Sequence, residues 1–229
     1  MTGGALPLIF DLDGTLVHTL PDIAATLGRV FATQGLPVPS EPAIRRMIGD
    51  GARTLIARAL AAAGEEPSRE RVDRLYRAFL ADYEVHSCVL SAPFPHVREA
   101  LAQLRAAGHR LGVCTNKPQR ATEMLLRAFA LDQFFDAVAG GDLLPWRKPD
   151  PRHLQAVLTA LSQTSQPMAI MIGDSQYDLL AARGAGIPCI LVRHGYGEEP
   201  VDALAADLVI DSFAQLIEAV GALSQRLAP

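Results

Sequence analysis

The sequence predicts a doubly wound α/β fold, in which a mostly parallel sheet carries helices on both faces and an all-helical segment is inserted into it. From about residue 95 onward, segments with strand character alternate with segments of helical periodicity, a pattern typical of a parallel sheet. Between residues 20 and 89 every periodic segment is helical. Polar side chains also cluster directly after four predicted strands, and sheets of this class bind ligands at the carboxyl ends of their strands.

The first predicted strand is the apolar run Leu6 to Phe10, which ends in Asp11 and Asp13. Such a run is typical of a buried strand, and Gly14 favours a tight turn directly after it. Because side chains alternate along a strand, both carboxylates project to the same side and repel each other unless one is protonated or a cation lies between them. Mg²⁺ prefers carboxylate and carbonyl oxygens. The turn is therefore a candidate metal site, although an acidic turn without chemistry is the alternative for this stretch alone.

Four helices are predicted between the first strand and about residue 90. Each begins at a polar residue, a proline or a glycine turn and carries apolar residues at helical spacing. Their starts lie near Pro21, Ser40, Ala52 and Ser68, and their ends near Gly35, Gly49, Ala63 and His86. We therefore predict an α/β core domain formed by residues 1–19 and 90–229 and a helical cap domain formed by residues 20–89.

The rest of the core alternates between strands and helices, with glycine and proline marking most of the ends. Further strands are predicted at Leu111–Cys114, Ala137–Ala139, Met168–Ile172, Cys189–Val192 and Leu208–Ile210. Further helices are predicted at Val97–Ala107, Gln119–Phe129, Arg152–Leu161, Leu179–Ala185 and from Ser212 through Val220. Besides the two aspartates of the first strand, the polar clusters are Thr115-Asn116, Gly140-Gly141-Asp142 followed by Lys148, and Gly173-Asp174-Ser175 with Asp178.

Composition excludes several classes of protein. The 21 basic and 25 acidic residues among 229 leave a mildly acidic chain, without the basic patch that nucleic-acid binding requires. No apolar run is long enough to cross a bilayer, and the first residues lack the pattern of a secretory signal. The three cysteines are far apart in the sequence, which favours reduced thiols. We expect a cytoplasmic protein without nucleic-acid or membrane partners; its oligomeric state does not follow from the sequence.

The polar clusters, taken in order, resemble the four motifs of haloacid dehalogenase superfamily phosphatases. The matching residues are Asp11-Leu12-Asp13-Gly14-Thr15, Thr115-Asn116, Lys148-Pro149, and Gly173-Asp174-Ser175 with Asp178. Within that superfamily, the stretches Ile48–Ala52, Thr115–Pro118, Gly140–Asp142 and Gly195–Gly197 are most similar to those of phosphoglycolate phosphatases. The resemblance implies a Rossmann-like core with an inserted helical cap, and a Mg²⁺-dependent phosphomonoesterase that hydrolyses 2-phosphoglycolate through an aspartyl-phosphate intermediate.

The same resemblance implies roles for individual residues. Asp11 is the expected nucleophile and Asp13 the expected general acid and base. Lys148 is expected to neutralise charge on the nucleophile and on the transferring phosphoryl group, which it also binds. The expected Mg²⁺ ligands are Asp11, Asp174 and, through its backbone carbonyl, Asp13, and Asp178 is expected to support them.

Four further residues are expected to contact the substrate. Thr15, Thr115 and Asn116 are expected to bind phosphate oxygens. In the cap, Gly51 precedes the first turn of a helix, whose free N–H groups suit a substrate carboxylate. The alternative is that this glycine only turns the chain and that Arg53 beside it is solvated. His18 stands near the cap hinge, where the family usually carries an acidic residue, so cap closure is a point of expected difference.

Several alternatives remain open at this stage. Another small phosphate ester is a possible substrate, and a sugar phosphomutase shares all four motifs. A non-catalytic binding protein on the same fold would be expected to lack Asp11, Asp13 or Lys148, and all three are present. A dehalogenase is disfavoured because Asp13 and Asp174 suit phosphate and metal. A phosphonatase is disfavoured because no lysine precedes Cys114 to form a Schiff base.

Overall fold

The computed structural model describes residues 5–162, 168–197 and 199–227. The strands in these ranges are β1 (Leu8–Phe10), β2 (Val17–His18), β3 (Ala92–Pro93), β4 (Leu111–Cys114), β5 (Ala137–Ala139), β6 (Ile170–Gly173), β7 (Cys189–Val192) and β8 (Leu208–Ile210). The α-helices are α1 (Leu20–Ala32), α2 (Glu41–Met47), α3 (Gly51–Ala62), α4 (Arg69–His86), α5 (Val97–Ala106), α6 (Gln119–Ala128), α7 (Pro151–Leu161), α8 (Gln176–Ala185) and α9 (Leu216–Leu227).

Six strands form one sheet in the order β5-β4-β1-β6-β7-β8, and all of its neighbouring pairs are parallel. Strands β4 and β5 follow β1 on one side of the sheet. The chain then crosses over to β6, which lies on the other side of β1 and is followed by β7 and β8. The strand order therefore reverses between β1 and β6, which is where ligands bind in doubly wound sheets. The predicted fold class is confirmed.

The sheet is covered on both faces, as the alternation of side chains along β1 shows. Leu8 and Phe10 pack into one hydrophobic cluster, with residues of α5, α6 and α9. Ile9, between them, packs into the opposite cluster, with residues of α7 and α8. All three side chains are fully buried. The apolar run of the first strand is thus explained by burial on both faces.

Helices α1 to α4 pack around another hydrophobic cluster, whose large members include Phe31, Ile56, Phe79 and Tyr83 and which also includes Ala121 and Tyr196 of the core. The chain enters these helices through β2 and leaves them through β3, and the two strands pair antiparallel. This pairing was not predicted, because strands of two residues carry no periodicity. At the entrance the buried Asp22 carboxylate accepts hydrogen bonds from the N–H groups of Leu90 and Ser91 and from the Ser91 hydroxyl. The domain boundaries at residues 20 and 89 stay a prediction.

Several element boundaries differ from the predicted ones. Strand β6 begins at Ile170 rather than at Met168, whose side chain is exposed. Helix α8 begins at Gln176, three residues early, because Ser175 and Asp178 form a capping box that satisfies free N–H groups at its start. Helix α9 begins at Leu216, after a 3₁₀-helix at Phe213–Gln215 that follows Ser212, and it continues past Val220 to Leu227. None of the described helices is long and apolar enough to span a membrane.

Candidate active site

The predicted polar residues converge at the carboxyl edge of the sheet. Asp11 follows β1, Thr115 follows β4 and Asp174 follows β6, and all three side chains are buried. Lys148, from the loop before α7, is buried among them. The site therefore lies at the point where the strand order reverses.

Lys148 joins two of the carboxylates. Its ammonium nitrogen lies 2.9 Å from Oδ1 of Asp11 and 2.6 Å from Oδ1 of Asp178. Burial alone would lower the pKa of Lys148, but the charges of Asp11 and Asp178 outweigh burial and raise it above the usual value. Burial raises the pKa of Asp11 to about 6, although the charge of Lys148 opposes that shift. The lysine is thus held in its charged form beside a carboxylate that is costly to ionise.

Asp174 is held in place from two sides. The Thr15 hydroxyl donates a 2.9 Å hydrogen bond to its Oδ1, and the Tyr196 N–H donates a 2.7 Å hydrogen bond to its Oδ2. Burial, together with the charges of Asp178 and Asp11, nevertheless raises the pKa of Asp174 well above its usual value. The Thr15 hydroxyl, predicted to contact substrate, is therefore engaged with a carboxylate of the site.

The carboxylates suit a hard divalent cation. Asp11, Asp174 and Asp178 each offer an oxygen, and these three oxygens lie within 4.8 Å of one another. Three buried acidic groups, two of them with raised pKa values, form a donor set that a cation such as Mg²⁺ would stabilise. Asp178, expected only to support the metal, belongs to this cluster. The carboxylate of Asp13 does not belong to this cluster. The predicted role of Asp13 as a metal ligand therefore rests on its backbone carbonyl.

Asp13 faces a different lysine. Lys117 Nζ lies 3.0 and 3.2 Å from the two oxygens of Asp13 and 2.9 Å from the hydroxyl of Tyr83, a residue of α4. The two aspartates of the first motif therefore each have a lysine of their own, which relieves the repulsion expected between them. Lys117 was not among the predicted site residues. Its only signal in the sequence was its place in the stretch Thr115–Pro118.

Asn116 and Thr115 lie in the site with most of their polar atoms already in use. The Asn116 amide nitrogen donates to the backbone carbonyls of Gly49 and Lys148, at 2.9 and 2.8 Å. Its amide oxygen is buried and accepts no hydrogen bond from the described residues. The Thr115 hydroxyl accepts a 3.3 Å hydrogen bond from the Lys117 N–H and keeps its own proton for donation. Phosphate binding by Thr115 fits this arrangement better than phosphate binding by the Asn116 amide.

The cap contributes one wall of a small cavity over this site. The cavity has a volume of about 50 Å³, and its lining includes Asp13, Gly51, Thr115, Asn116 and Lys117 together with apolar side chains of α1, α3, α4 and α6. Gly51 is the first residue of α3 and has a φ of +80°; a Cβ there would lie 3.2 Å from the Asn116 carbonyl oxygen. Close approach to the core thus requires glycine at this turn.

Arg53 points away from this cavity. Its guanidinium pairs with Asp73 and stacks on the ring of Tyr76 at 4.3 Å. The residue does not line the cavity over the site, and half of its side chain is exposed. These contacts and its exposure to solvent account for the position of Arg53, in agreement with the alternative that it does not contact the substrate.

His18 and the loop after β7 connect the cap entrance to the site. A 2.6 Å hydrogen bond joins His18 Nδ1 to the Tyr196 hydroxyl, which also accepts from the Leu20 N–H. Beside Tyr196, a Cβ on Gly195 would lie 2.0 Å from the Cβ of Asp174. Gly195 and Tyr196 therefore position Asp174. The sequence marked them only as part of the stretch Gly195–Gly197.

Comparison with known proteins identifies the family. A family model described as haloacid dehalogenase-like hydrolase matches residues 8–192, which include all four predicted motifs. The chain belongs to the haloacid dehalogenase-like hydrolase family. The resemblance inferred from the motifs is confirmed.

This haloacid dehalogenase-like hydrolase is 46% identical over 212 residues to a Caulobacter vibrioides protein named phosphoglycolate phosphatase, a match that covers 93% of this chain and 89% of the relative. A Rhodospirillum rubrum protein of the same name is 41% identical over 218 residues, or 93% of this chain and 90% of the relative. A crystal structure of a predicted phosphoglycolate phosphatase from Haemophilus somnus has a TM-score of 0.88 at 33% identity and covers 96% of this chain and 99% of that one. These relatives confirm the predicted enzyme class, a phosphoric monoester hydrolase.

Proposed function

We propose that this phosphatase hydrolyses 2-phosphoglycolate to glycolate and phosphate with Mg²⁺ as its cofactor. The buried group of Asp11, Asp174, Asp178 and Lys148 carries the chemical part of the proposal, because it combines a nucleophile, a metal-binding set and a fixed cation. The substrate rests on the relatives named phosphoglycolate phosphatase. A cytoplasmic location, without nucleic-acid or membrane partners, stays a prediction from composition.

In this proposal each residue acts at a stated atom. Asp11 attacks phosphorus through a carboxylate oxygen, and Lys148 offsets charge on that carboxylate and on the phosphoryl oxygens. Asp13 donates a proton to the leaving oxygen and later accepts one from the hydrolytic water. The Thr115 hydroxyl donates to a phosphoryl oxygen. Asp11, Asp174 and the backbone carbonyl of Asp13, with Asp178 beside them, would hold Mg²⁺, which would supply charge neutralisation and orientation.

A substrate panel tests the proposal. The purified protein is assayed with Mg²⁺ against 2-phosphoglycolate, other small phosphate esters and sugar phosphates, and both free phosphate and organic products are measured. We expect the highest kcat/KM for 2-phosphoglycolate with one phosphate released per turnover. Isomerised sugar phosphate with little free phosphate would instead identify a phosphomutase. A clear preference for another ester would refute 2-phosphoglycolate as the substrate but not the proposed reaction chemistry.

Asp13→Asn should separate the proton-transfer role from the rest of the site. An amide cannot protonate the leaving alkoxide, so we expect kcat for 2-phosphoglycolate to fall about 10²- to 10⁴-fold. Nitrophenyl phosphate has an acidic leaving group that needs little protonation, so its kcat should fall far less. Steady-state kinetics with both substrates measures the difference. An equal loss for both would argue against general acid catalysis by Asp13.

Mg²⁺ affinity should increase as the pH rises from about 5 to 7.5. The pKa of Asp11 is raised to about 6 and that of Asp174 is also raised, so at low pH both carboxyl groups hold protons that a metal must displace. We expect affinity to change by roughly tenfold per pH unit for each proton displaced. Calorimetric titration in two buffers of different ionisation enthalpy measures affinity and proton release together. Affinity that is independent of pH over this range would contradict the assignment of Asp11 and Asp174 as ligands.

A further inference from the structure

Lys117 is a buried cation without an assigned role in the chemistry above. The chain has only two lysines, Lys117 and Lys148, and both are buried in this site. Lys148 contacts Asp11 and Asp178 but does not line the cavity, whereas Lys117 does. Among the residues that line this cavity in the described part of the chain, Lys117 is the one with a positive charge.

The surroundings of Lys117 keep it charged and pointed at the cavity. Burial alone would lower its pKa, but Asp13 and Tyr83 outweigh burial and raise it. Its ammonium group bridges the Asp13 carboxylate and the Tyr83 hydroxyl and lies 4.4 Å from the centre of the Tyr83 ring. Apolar side chains such as Leu55 and Phe79 form the neighbouring wall. A cation in such a dry setting interacts strongly with any anion that reaches it.

The position of Asp13 fixes what lies beside Lys117 during the reaction. The leaving oxygen of the substrate must reach the Asp13 carboxylate to be protonated, and Lys117 Nζ is only 3.0 Å from that carboxylate. The group bonded to the leaving oxygen therefore lies next to the ammonium. In 2-phosphoglycolate a single methylene separates the leaving oxygen from the carboxylate, so the carboxylate reaches Lys117 while the ester oxygen stays at Asp13.

Tyr83 completes a site for a carboxylate. Its hydroxyl oxygen accepts a hydrogen bond from Lys117, and burial raises its pKa to about 12, so the phenol keeps its proton. Among the described residues, no acceptor takes a hydrogen bond from that hydroxyl. An ammonium and a phenol side by side offer two donors, which match the two oxygens of a carboxylate.

We propose that Lys117, assisted by Tyr83, binds a carboxylate on the leaving group and thereby selects phosphate esters that carry one next to the ester carbon. This inference deepens the proposed function and rests on it. Lys117 exchanges part of its contact with Asp13 for the substrate carboxylate when the ester binds. The cap takes part through Tyr83 of α4, so discrimination is shared between core and cap. The competing explanation is that Lys117 only positions Asp13 for every substrate.

The test compares Lys117→Met with a matched control, Arg120→Met. Arg120 lies in the first turn of α6, three residues after Lys117, and its exposed side chain forms a 3.0 Å ion pair with Glu84, the neighbour of Tyr83. The control thus removes the same charge and a contact to the same cap helix, α4, but outside the cavity lining. Substrates are 2-phosphoglycolate and 2-hydroxyethyl phosphate, which has the same length and no carboxylate.

We expect Lys117→Met to lower kcat/KM for 2-phosphoglycolate about 10- to 100-fold more than for 2-hydroxyethyl phosphate, and Arg120→Met to leave the ratio unchanged. An equal loss for both substrates in Lys117→Met would overturn the inference in favour of positioning of Asp13, while turnover of 2-phosphoglycolate by the wild type would still support the proposed function. A wild type that does not hydrolyse 2-phosphoglycolate would instead refute the proposed function itself.

A second measurement does not depend on a stable Lys117→Met variant. Because the chain has two lysines, protein labelled with ¹³C-lysine gives two sets of side-chain NMR signals, which Lys117→Arg assigns. With Mg²⁺ present, glycolate should shift the Lys117 signals, and ethylene glycol at the same concentration should not. Equal responses to the two compounds, or none to glycolate, would overturn the inference.

Discussion

Asp11→Asn should reduce kcat for phosphate-ester hydrolysis by more than about 10⁴-fold, the order of loss expected when a covalent nucleophile is removed. The amide has almost the same shape as the carboxylate but cannot supply the anion that attacks phosphorus. Initial rates with 2-phosphoglycolate and nitrophenyl phosphate measure the effect, and both substrates should be lost alike because both need the same nucleophile. Activity within tenfold of the wild type would remove Asp11 from the role of nucleophile.

The same variant should not be less stable than the wild type in metal-free buffer at pH 7.5. The pKa of Asp11 is raised from 3.8 to about 6, so the folded state binds this proton more tightly than the unfolded chain. The free energy of unfolding therefore falls as the pH rises through this interval. Asp11→Asn has no carboxyl group at this position, so this decrease in the free energy of unfolding should be absent. Thermal melts at pH 4.5 and 7.5 provide the control, and a variant already unfolded at the assay temperature would show that the loss of activity reflects loss of the fold.

Lys148→Met should lower kcat by about 10²- to 10³-fold, because a fixed cation no longer offsets the charge that develops on the phosphoryl group. It should also destabilise the metal-free protein by about 3–5 kcal/mol at neutral pH, the usual cost of removing one partner of a buried ion pair. Lys148 is almost fully buried against Asp11 and Asp178, so its removal leaves carboxylates without compensation. Kinetics and denaturant unfolding measure the two effects separately.

A second variant distinguishes charge from packing. In Lys148→Met with Asp178→Asn, one buried negative charge is removed along with the positive one, so stability should recover substantially while activity should not. Added Mg²⁺ should also stabilise Lys148→Met more than it stabilises the wild type, since the metal then supplies the missing positive charge. If neither Asp178→Asn nor added Mg²⁺ restores stability, the aliphatic part of Lys148, rather than its charge, stabilises the fold.

The positions of the candidate site residues could be predicted because they follow from the sheet. Asp11 and Asp174 directly follow strands that are recognisable as apolar runs, and parallel strands bring their carboxyl ends to one edge. Lys148 lies in a loop, and only its order relative to the other motifs identified it. The contacts of Asp178 were partly predictable, since an acidic residue three positions after Ser175 is typical of a capping box.

What the sequence did not reveal depends on side-chain direction and on very short elements. Lys117 follows Thr115 and Asn116 in a loop, where no periodicity fixes which way a side chain points, and its partner Tyr83 lies 34 residues earlier on a cap helix. The donors of Asn116 are taken up by backbone carbonyls of two distant loops. The pairing of β2 with β3 joins segments that are far apart in the chain and only two residues long.

The antiparallel pairing of β2 with β3 has a consequence for how this enzyme can vary. His18 lies opposite Ala92, so the roughly 70 residues between them leave and re-enter the core at neighbouring points and form one closed loop. The entropy of closing a loop grows only with the logarithm of its length, and doubling the length costs about 0.6 kcal/mol. Insertions, deletions or complete exchange of this loop therefore change the free energy of folding of the sheet only slightly. Substrate range can diversify in the loop while the chemistry, anchored in the strands, is inherited unchanged.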